Sequence, residues 1–325
     1  MQRDLIKQFF YDMLLARCFE ETAAEQYTQG KIAGFLHLYP GEEAVAVGSL
    51  RAAGPGDYVV STYREHVHAL MRGVSADAIM AEMFGRATGC SGGYGGSMHL
   101  FSAEHRFLGG YAIVGETFPL AIGVGYWLAM KQSPDVVLCY FGEGAVNQGT
   151  FHESLNMAAL WKLPVLFICE NNRYQIGTEI HRNSAVTEVY KRGCASGVPG
   201  KHVDGMDVLA VHQATQEALQ HVRGGSGPFL LECETYRFRG HSMADSGAYR
   251  SALEMAELKA RDPLLNLRNR ALQEDWISED EIEALFKKVH ETVDEAVRFA
   301  EQSPPPADLY KDVYTQPLDV YRGVP

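Results

Sequence analysis

Two apolar stretches decide the fold: residues 136–144 read VVLCYFGEG, and residues 165–172 read VLFICENN. Each begins with a run of apolar residues that is typical of a strand buried on both faces. The segment between them carries Phe151, Leu155 and Ala158 at helical spacing. A strand, a helix and a second strand in this order predict a βαβ unit, whose strands are parallel and joined by a right-handed crossover.

Polar residues follow both predicted strands where the chain leaves the sheet. Parallel strands deliver their carboxyl ends to one edge, which is where open α/β folds bind ligands. We therefore expect Glu143 and Asn172 to converge and to hold a magnesium ion through hard oxygen ligands. Gly142 and Gly144 let the backbone approach phosphate oxygens, and the helix after Asn147 directs its N-terminal amides at them. Each motif alone is also typical of an ordinary strand exit or turn, but the pair is more specific.

The rest of the chain predicts an α/β protein with a largely parallel sheet flanked by helices and extended by helices at both ends. An amphipathic pattern predicts an opening helix to about Tyr27. A helical C-terminal region, with a capping box at Ser278 to Glu281, is expected over about 262–302, followed by an extended tail over 303–325. Ser75 is expected to cap the start of an earlier helix. We expect residues 1–325 to form one diphosphate-binding domain.

Further strands are expected at residues 58–62 and 228–233. The second of these leads into a polar loop that carries Arg237, Arg239 and His241. Because an acidic protein concentrates cations on this loop, we expect the loop to contact an anionic cofactor or substrate.

Charge and composition exclude several classes of function. The chain has 29 Lys and Arg against 41 Asp and Glu, a formal net charge of −12, so neither nucleic acid nor an anionic membrane is an expected partner. Its apolar runs are too short to span a bilayer. The six cysteines include no CxxC pair, and we expect reduced thiols in a cytoplasmic protein. The N-terminus shows no signal or transit peptide pattern, which also favours the cytoplasm.

Motifs spread over nearly the whole chain resemble one family. Thiamine-diphosphate enzymes carry Gly-Asp-Gly followed further along by Asn-Asn, and residues 142–144 with 171–172 are similar to that pair. The surrounding motifs resemble the alpha subunits of the thiamine-diphosphate-dependent 2-oxo acid dehydrogenases, most closely the bacterial pyruvate type. These motifs are GFLHL at 34–38, GEEA at 41–44, GGSMH at 95–99, NMAALW at 156–161, ENNRY at 170–174, VDGMD at 203–207 and RGHS at 239–242.

The resemblance implies roles for individual residues. It makes Glu143, Asn172 and the Tyr174 carbonyl magnesium ligands. It places further residues along the thiamine diphosphate: Tyr63, Arg64, Ala112, Val114, Gly142, Gly144, Ala145, Ile176 and His241. It assigns three residues to catalytic positions, with the first near the substrate channel: His37, His241 and Ser242. Judged from its apolar neighbours alone, His37 is more typical of a histidine packed in a core.

The implied function is that of a subunit that decarboxylates pyruvate with thiamine diphosphate and magnesium. The acetyl group would pass to a lipoyl group of a dihydrolipoyl acyltransferase. The resemblance also implies an α2β2 assembly, in which the beta subunit supplies the glutamate that acts on the aminopyrimidine ring. An acetoin or branched-chain 2-oxo acid dehydrogenase alpha subunit remains an alternative. A nicotinamide-binding Rossmann protein is disfavoured, because no GxGxxG motif joins a strand to a helix.

Four positions depart from the family pattern. Glu143 replaces the usual aspartate and adds a methylene to a ligand of a metal that requires near-ideal octahedral geometry. This change leaves a non-catalytic pseudo-subunit as a further alternative. Gln175 and Ile176 stand where the pyruvate branch often has Gly-Met, and Ala112 stands where it often has Gly. We therefore expect a locally reshaped cofactor cleft.

Overall fold

A parallel sheet forms the centre of the structure, a computed structural model that describes residues 2–309. Its strands are β1 Tyr58–Thr62, β2 Phe107–Tyr111, β3 Val137–Gly142, β4 Val165–Asn171, β7 Gly200–Asp204 and β8 Phe229–Glu234. The strand order is β2-β1-β3-β4-β8-β7, and every neighbouring pair is parallel. Strands β5 Tyr174–Gln175 and β6 Thr178–Glu179 form a separate antiparallel hairpin.

Helices cover both faces of this sheet. Those within the described residues are α1 Gln2–Thr28, α2 Glu43–Ala52, α3 His66–Arg72, α4 Ala76–Met83, α5 Thr117–Lys131, α6 Gly149–Leu160, α7 Val208–His221, α8 Ala252–Lys259, α9 Pro263–Gln273 and α10 Glu279–Gln302. Most of the tail predicted over 303–325 lies outside the described residues. None of the helices between residues 2 and 309 is both long and apolar enough to cross a membrane.

Alternate residues of β3 point into two different apolar cores. Leu138 and Tyr140 pack into the core that lies on the side of α1, α2, α7 and α10. Val137 and Cys139 pack into the core on the side of α5 and α6. Because both faces are covered, the strand is apolar throughout rather than alternating with polar residues. The predicted unit of β3, α6 and β4 is confirmed, since β3 and β4 are parallel neighbours.

Local signals for helix starts are also confirmed. The Ser278 hydroxyl accepts from the Glu281 backbone amide, and the Glu281 carboxylate accepts from the Ser278 amide, which is the predicted capping box. Ser75 caps α4 by accepting from the Ala78 amide. These caps satisfy amides that have no partner within their own helix.

Some elements were not predicted from the sequence, for reasons visible in the structure. Strand β2 contains Gly109 and Gly110, which weaken a strand pattern. Strand β7 lies at the edge of the sheet and is mostly polar or exposed. Helix α8 buries none of its residues, so it carries no apolar stripe.

A short 3₁₀ helix lies between β3 and α6. It spans Glu143–Asn147, and α6 begins at Gly149, after Asn147 as expected. The amides nearest to Glu143 therefore belong to this 3₁₀ turn rather than to the longer helix. The turn lies at the carboxyl edge of the sheet, and its first backbone amides have no partner within the turn itself.

Two glycines of α5 give a matched test of how this helix packs. A Cβ on Gly125 would lie 2.7 Å from Val165 Cγ2, whereas a Cβ on Gly123 would meet nothing within 4 Å. Gly125→Ala should lower the free energy of unfolding by about 1–3 kcal/mol, because it overpacks a stiff valine on β4. Gly123→Ala should raise it by roughly 0.5–1 kcal/mol through helix propensity. Urea denaturation of the full chain measures both, and shifts of the same sign would contradict this packing.

Candidate active site

A cavity of about 590 Å³ opens at the carboxyl edge of the sheet. The loops that follow β1, β2, β3, β4 and β8 all contribute to its wall. Every residue assigned to the site from the sequence lines this cavity. They are His37, Tyr63, Arg64, Ala112, Val114, Gly142, Glu143, Gly144, Ala145, Asn172, Tyr174, Ile176, His241 and Ser242.

Glu143 and Asn172 meet because their strands are paired in register. Gly142 of β3 stands opposite Glu170 of β4, so the next residues leave the sheet side by side. Asn172 Oδ1 accepts from the Tyr174 amide at 3.3 Å, which folds the chain back beside the asparagine. Both residues line the same cavity.

The Glu143 carboxylate is buried and lacks a hydrogen-bond partner at Oε1. Burial raises the pKa of Glu143 to about 7, while hydrogen bonding by backbone amides and the charge of Arg237 act in the opposite direction. A carboxylate held in this way gains free energy from a cation placed next to it. Its Oε1 is therefore available to bind a cation or a hydrogen-bond donor.

Two buried arginines supply positive charge to the cavity. Arg237 is 2% exposed, and its Nη1 donates to Asn172 Oδ1 at 3.3 Å and to the Tyr174 carbonyl at 3.4 Å. Arg64 is 6% exposed, and its Nη2 donates to the His241 carbonyl at 2.9 Å. Buried guanidinium groups need anionic or polar partners. Together they make this edge of the sheet attractive to an anion.

Two glutamates that line the cavity were not assigned to the site from the sequence. Glu42 and Glu170 line the cavity and are almost completely buried. Both stand inside motifs that had been quoted for the family resemblance, so a buried carboxylate in those motifs was the available signal. Arg237 was expected, with its loop, to contact an anionic cofactor or substrate, and it lines the cavity. Arg239, noted with it, is exposed and lies outside this cavity.

His37, Tyr63 and His241 form a packed aromatic group. The ring centroid of His37 lies 4.4 Å from that of Tyr63 and 5.1 Å from that of His241. Burial lowers the pKa of His37 to about 2 and that of His241 to about 4, and the charge of Arg64 adds to both effects. Both imidazoles are therefore neutral near pH 7. A neutral imidazole can accept a hydrogen bond or a proton at its unprotonated nitrogen.

Apolar side chains line the open side of the cavity. Ile113, Val114 and Ile176 are exposed by 69%, 47% and 59%. Ile176 also has a φ of +55°, which is strained for a β-branched residue. Strained backbone and exposed apolar surface are retained most often where a ligand or partner binds.

The polar side chains of the cavity would fit a diphosphate that is bound together with magnesium. Buried polar atoms without a partner cluster here: His37 Nδ1, Glu42 Oε2, Glu143 Oε1, Gln175 Nε2 and His241 Nδ1. Residues 2–309 contain no group of three His, Cys, Asp or Glu side chains suited to hold a metal by themselves. A metal bound by one carboxylate, one amide oxygen and one carbonyl needs further oxygens, and a diphosphate supplies them. Unpaired buried groups gain free energy when a polar ligand satisfies them.

The fold and the cavity define an α/β protein with a polar ligand site at the carboxyl edge of its parallel sheet, and comparison with known proteins gives its family. The model of the dehydrogenase E1 component family matches residues 11–308, so the chain belongs to the dehydrogenase E1 component family. This match confirms the resemblance drawn from the motifs.

Several relatives are similar over almost the whole chain. A protein of Oryza sativa subsp. japonica named pyruvate dehydrogenase E1 component subunit alpha-3, chloroplastic, is 47% identical over 97% of this chain and 77% of its own length. A Rhizobium meliloti (strain 1021) protein named pyruvate dehydrogenase E1 component subunit alpha is 47% identical over 94% of this chain and 88% of its own. A Rickettsia conorii protein of the same name is 43% identical over 94% of both chains.

The low pKa of His37 makes a prediction for stability. The folded chain leaves His37 unprotonated down to about pH 2, whereas the unfolded chain protonates it near pH 6.5. The unfolded state therefore binds more protons below pH 6.5, and the free energy of unfolding falls as the pH drops. His37→Asn should reduce this slope by up to about 1.4 kcal/mol per pH unit. Urea denaturation between pH 7 and pH 5 measures it, and parallel curves would show that folding leaves His37 free to protonate.

Proposed function

We propose that the chain is the alpha subunit of a pyruvate dehydrogenase. In this function it decarboxylates pyruvate with thiamine diphosphate and magnesium, and the acetyl group passes to a lipoyl group of a dihydrolipoyl acyltransferase. The observation that carries the proposal is that Glu143, Asn172 and Tyr174 line one cavity together with two buried arginines, in a member of the dehydrogenase E1 component family. The relatives named above carry the pyruvate name.

Magnesium would be held by Glu143, by Asn172 Oδ1 and by the Tyr174 carbonyl. A carboxylate, an amide oxygen and a carbonyl are the oxygen ligands that magnesium prefers. The extra methylene of Glu143, relative to aspartate, is accommodated because its carboxylate lies in the cavity wall with a free oxygen. This arrangement disfavours the pseudo-subunit alternative.

The anionic diphosphate would be bound by several kinds of donor. Arg64 and Arg237 supply charge, and Tyr63 and His241 supply polar groups beside them. The 3₁₀ turn at Glu143–Asn147 adds backbone amides, including those of Gly144 and Ala145. Ala112, Val114 and Ile176 would support the organic part of the cofactor, because they form the apolar side of the cavity. Ser242 lies at the wall beside His241.

When bound, thiamine diphosphate supplies the electron sink for loss of carbon dioxide from a 2-oxo acid. The chain itself positions the reactants and excludes water. The neutral rings of His37 and His241 can accept a proton or a hydrogen bond inside the cavity. The two arginines attract the carboxylate of the substrate as well as the diphosphate.

Two features of the described residues support a beta partner: the set of carboxylates in the cavity and an exposed apolar surface. Among the described residues 2–309, three carboxylates line the cavity: Glu42, Glu143 and Glu170. Glu42 accepts a hydrogen bond from Asn172, and the other two lie at the carboxyl ends of the paired strands β3 and β4. The glutamate that acts on the aminopyrimidine ring would then come from another chain. Helices α5 and α6, with the residue that follows α6, also expose large apolar side chains that a partner subunit would cover: Tyr126, Trp127, Met130, Leu160 and Trp161. We propose an α2β2 assembly, and its cytoplasmic location remains a prediction.

Reconstitution tests this function. The chain mixed with a beta subunit, magnesium and thiamine diphosphate should reduce an artificial electron acceptor with pyruvate, and either chain alone should be inactive. Glu143→Ala in the same assembly should lower kcat/KM by at least about a hundredfold, since a metal ligand is lost.

Robust turnover by the isolated chain would overturn the need for a partner. A clear preference for acetoin or branched 2-oxo acids would overturn the substrate. Cofactor binding that appears only in Glu143→Asp would identify a non-catalytic subunit.

A further inference from the structure

Glu42 lies behind the proposed metal ligand Asn172. It stands at the start of α2, is 1% exposed, and lines the cavity. Its Oε1 accepts a hydrogen bond from Asn172 Nδ2 at 3.1 Å. Its Oε2 has no hydrogen-bond partner and lies 3.8 Å from Arg64 Nε. A buried carboxylate therefore contacts the asparagine on the side away from its oxygen.

The contact determines which end of the Asn172 amide faces the cavity centre. A side-chain amide has a donor end and an acceptor end. With Nδ2 donating to Glu42, Oδ1 is left to accept from the Tyr174 amide at 3.3 Å and from Arg237 Nη1 at 3.3 Å. The same Arg237 nitrogen lies 3.4 Å from the Tyr174 carbonyl. Both oxygens therefore converge on one positively charged point.

The opposite orientation of the amide is disfavoured from both sides. It would place Oδ1 against the Glu42 carboxylate, and the ionised carboxylate has no proton to donate to a second acceptor. It would also direct the NH₂ group of Asn172 at Arg237, where two donors would meet. Neither contact can be made without losing a hydrogen bond in a buried site.

Glu43, the next residue, provides a contrast within the same helix. It is also 1% exposed, but its carboxylate pairs with Arg17, at 3.0 Å from Arg17 Nη2, and it does not line the cavity. The two adjacent buried glutamates therefore make different contacts. Glu43 connects α2 to α1 through Arg17, and Glu42 lines the cavity.

We propose that Glu42 is a positioning residue that orients the Asn172 amide so that Oδ1 faces the divalent cation. The inference rests on the proposed function, because it requires Asn172 to be a metal ligand. Residues that hydrogen-bond a metal ligand from behind fix its orientation, and their loss typically weakens metal affinity by about 10–100-fold. Glu42 would act in this way without touching the metal.

Manganese titration followed by electron paramagnetic resonance tests the inference on the assembled αβ protein at saturating thiamine diphosphate. Glu42→Ala should weaken manganese binding by about 10–100-fold. Glu42→Gln keeps an acceptor for Asn172 Nδ2 and should recover most of that loss. In the Asn172→Asp background the sign should reverse, because Glu42 then faces a second carboxylate and its removal relieves repulsion.

Glu43→Gln is the matched control. It removes a buried charge that pairs with Arg17 and should lower the melting temperature of the assembly while manganese affinity stays at the parent value. Equal affinity in the parent and Glu42→Ala would overturn the inference alone. Glu42→Gln binding as weakly as Glu42→Ala would show that the charge, not the acceptor, matters, and would also overturn it. A parent assembly that binds no manganese would overturn the proposed function itself.

Discussion

The parallel pairing of β3 with β4 is the constraint on which the site depends. Because Gly142 stands opposite Glu170, the two chains leave the sheet at the same height and carry Glu143 and Asn172 to one point. Strands buried on both faces cannot slip by one residue without exchanging the side chains of two cores. The apolar cores on both faces of the sheet therefore fix the register of β3 with β4. This register in turn fixes the relative positions of Glu143 and Asn172, although neither residue belongs to a core.

Electrostatics explains why the cavity at the carboxyl edge of the sheet favours binding of a cation together with an anion. Burial raises the pKa of Glu42 to about 7, and the charges of Arg64 and Arg237 oppose this effect. Burial also raises the pKa of Glu143 to about 7, and the charge of Arg237 opposes it there. The cavity holds three buried carboxylates against two buried guanidinium groups, and several of its polar atoms have no partner. A divalent ion with a diphosphate satisfies both kinds of charge at once. In a chain of net charge −12, an anion could bind only where arginines are concentrated in this way.

The sequence predicted the parts of this structure that depend on local pattern. The strand, helix and strand over 136–172, the capping box at Ser278 and the convergence of Glu143 with Asn172 follow from periodicity and from the geometry of parallel strands. Contacts between distant segments left no local signal. Glu42 lies 130 positions from Asn172, and nothing near either residue indicates their hydrogen bond. Strand β2 and helix α8 were missed because glycines and exposure hide their pattern.

Crystals of the αβ assembly grown with manganese and thiamine diphosphate would test the geometry at the carboxyl edge of the sheet. An anomalous difference map should show one strong peak within coordination distance, about 2.0–2.4 Å, of a Glu143 carboxylate oxygen, Asn172 Oδ1 and the Tyr174 carbonyl. Phosphate oxygens should complete the octahedron. A peak elsewhere in the cavity, or one that the Glu143 side chain does not reach, would contradict the metal site described here.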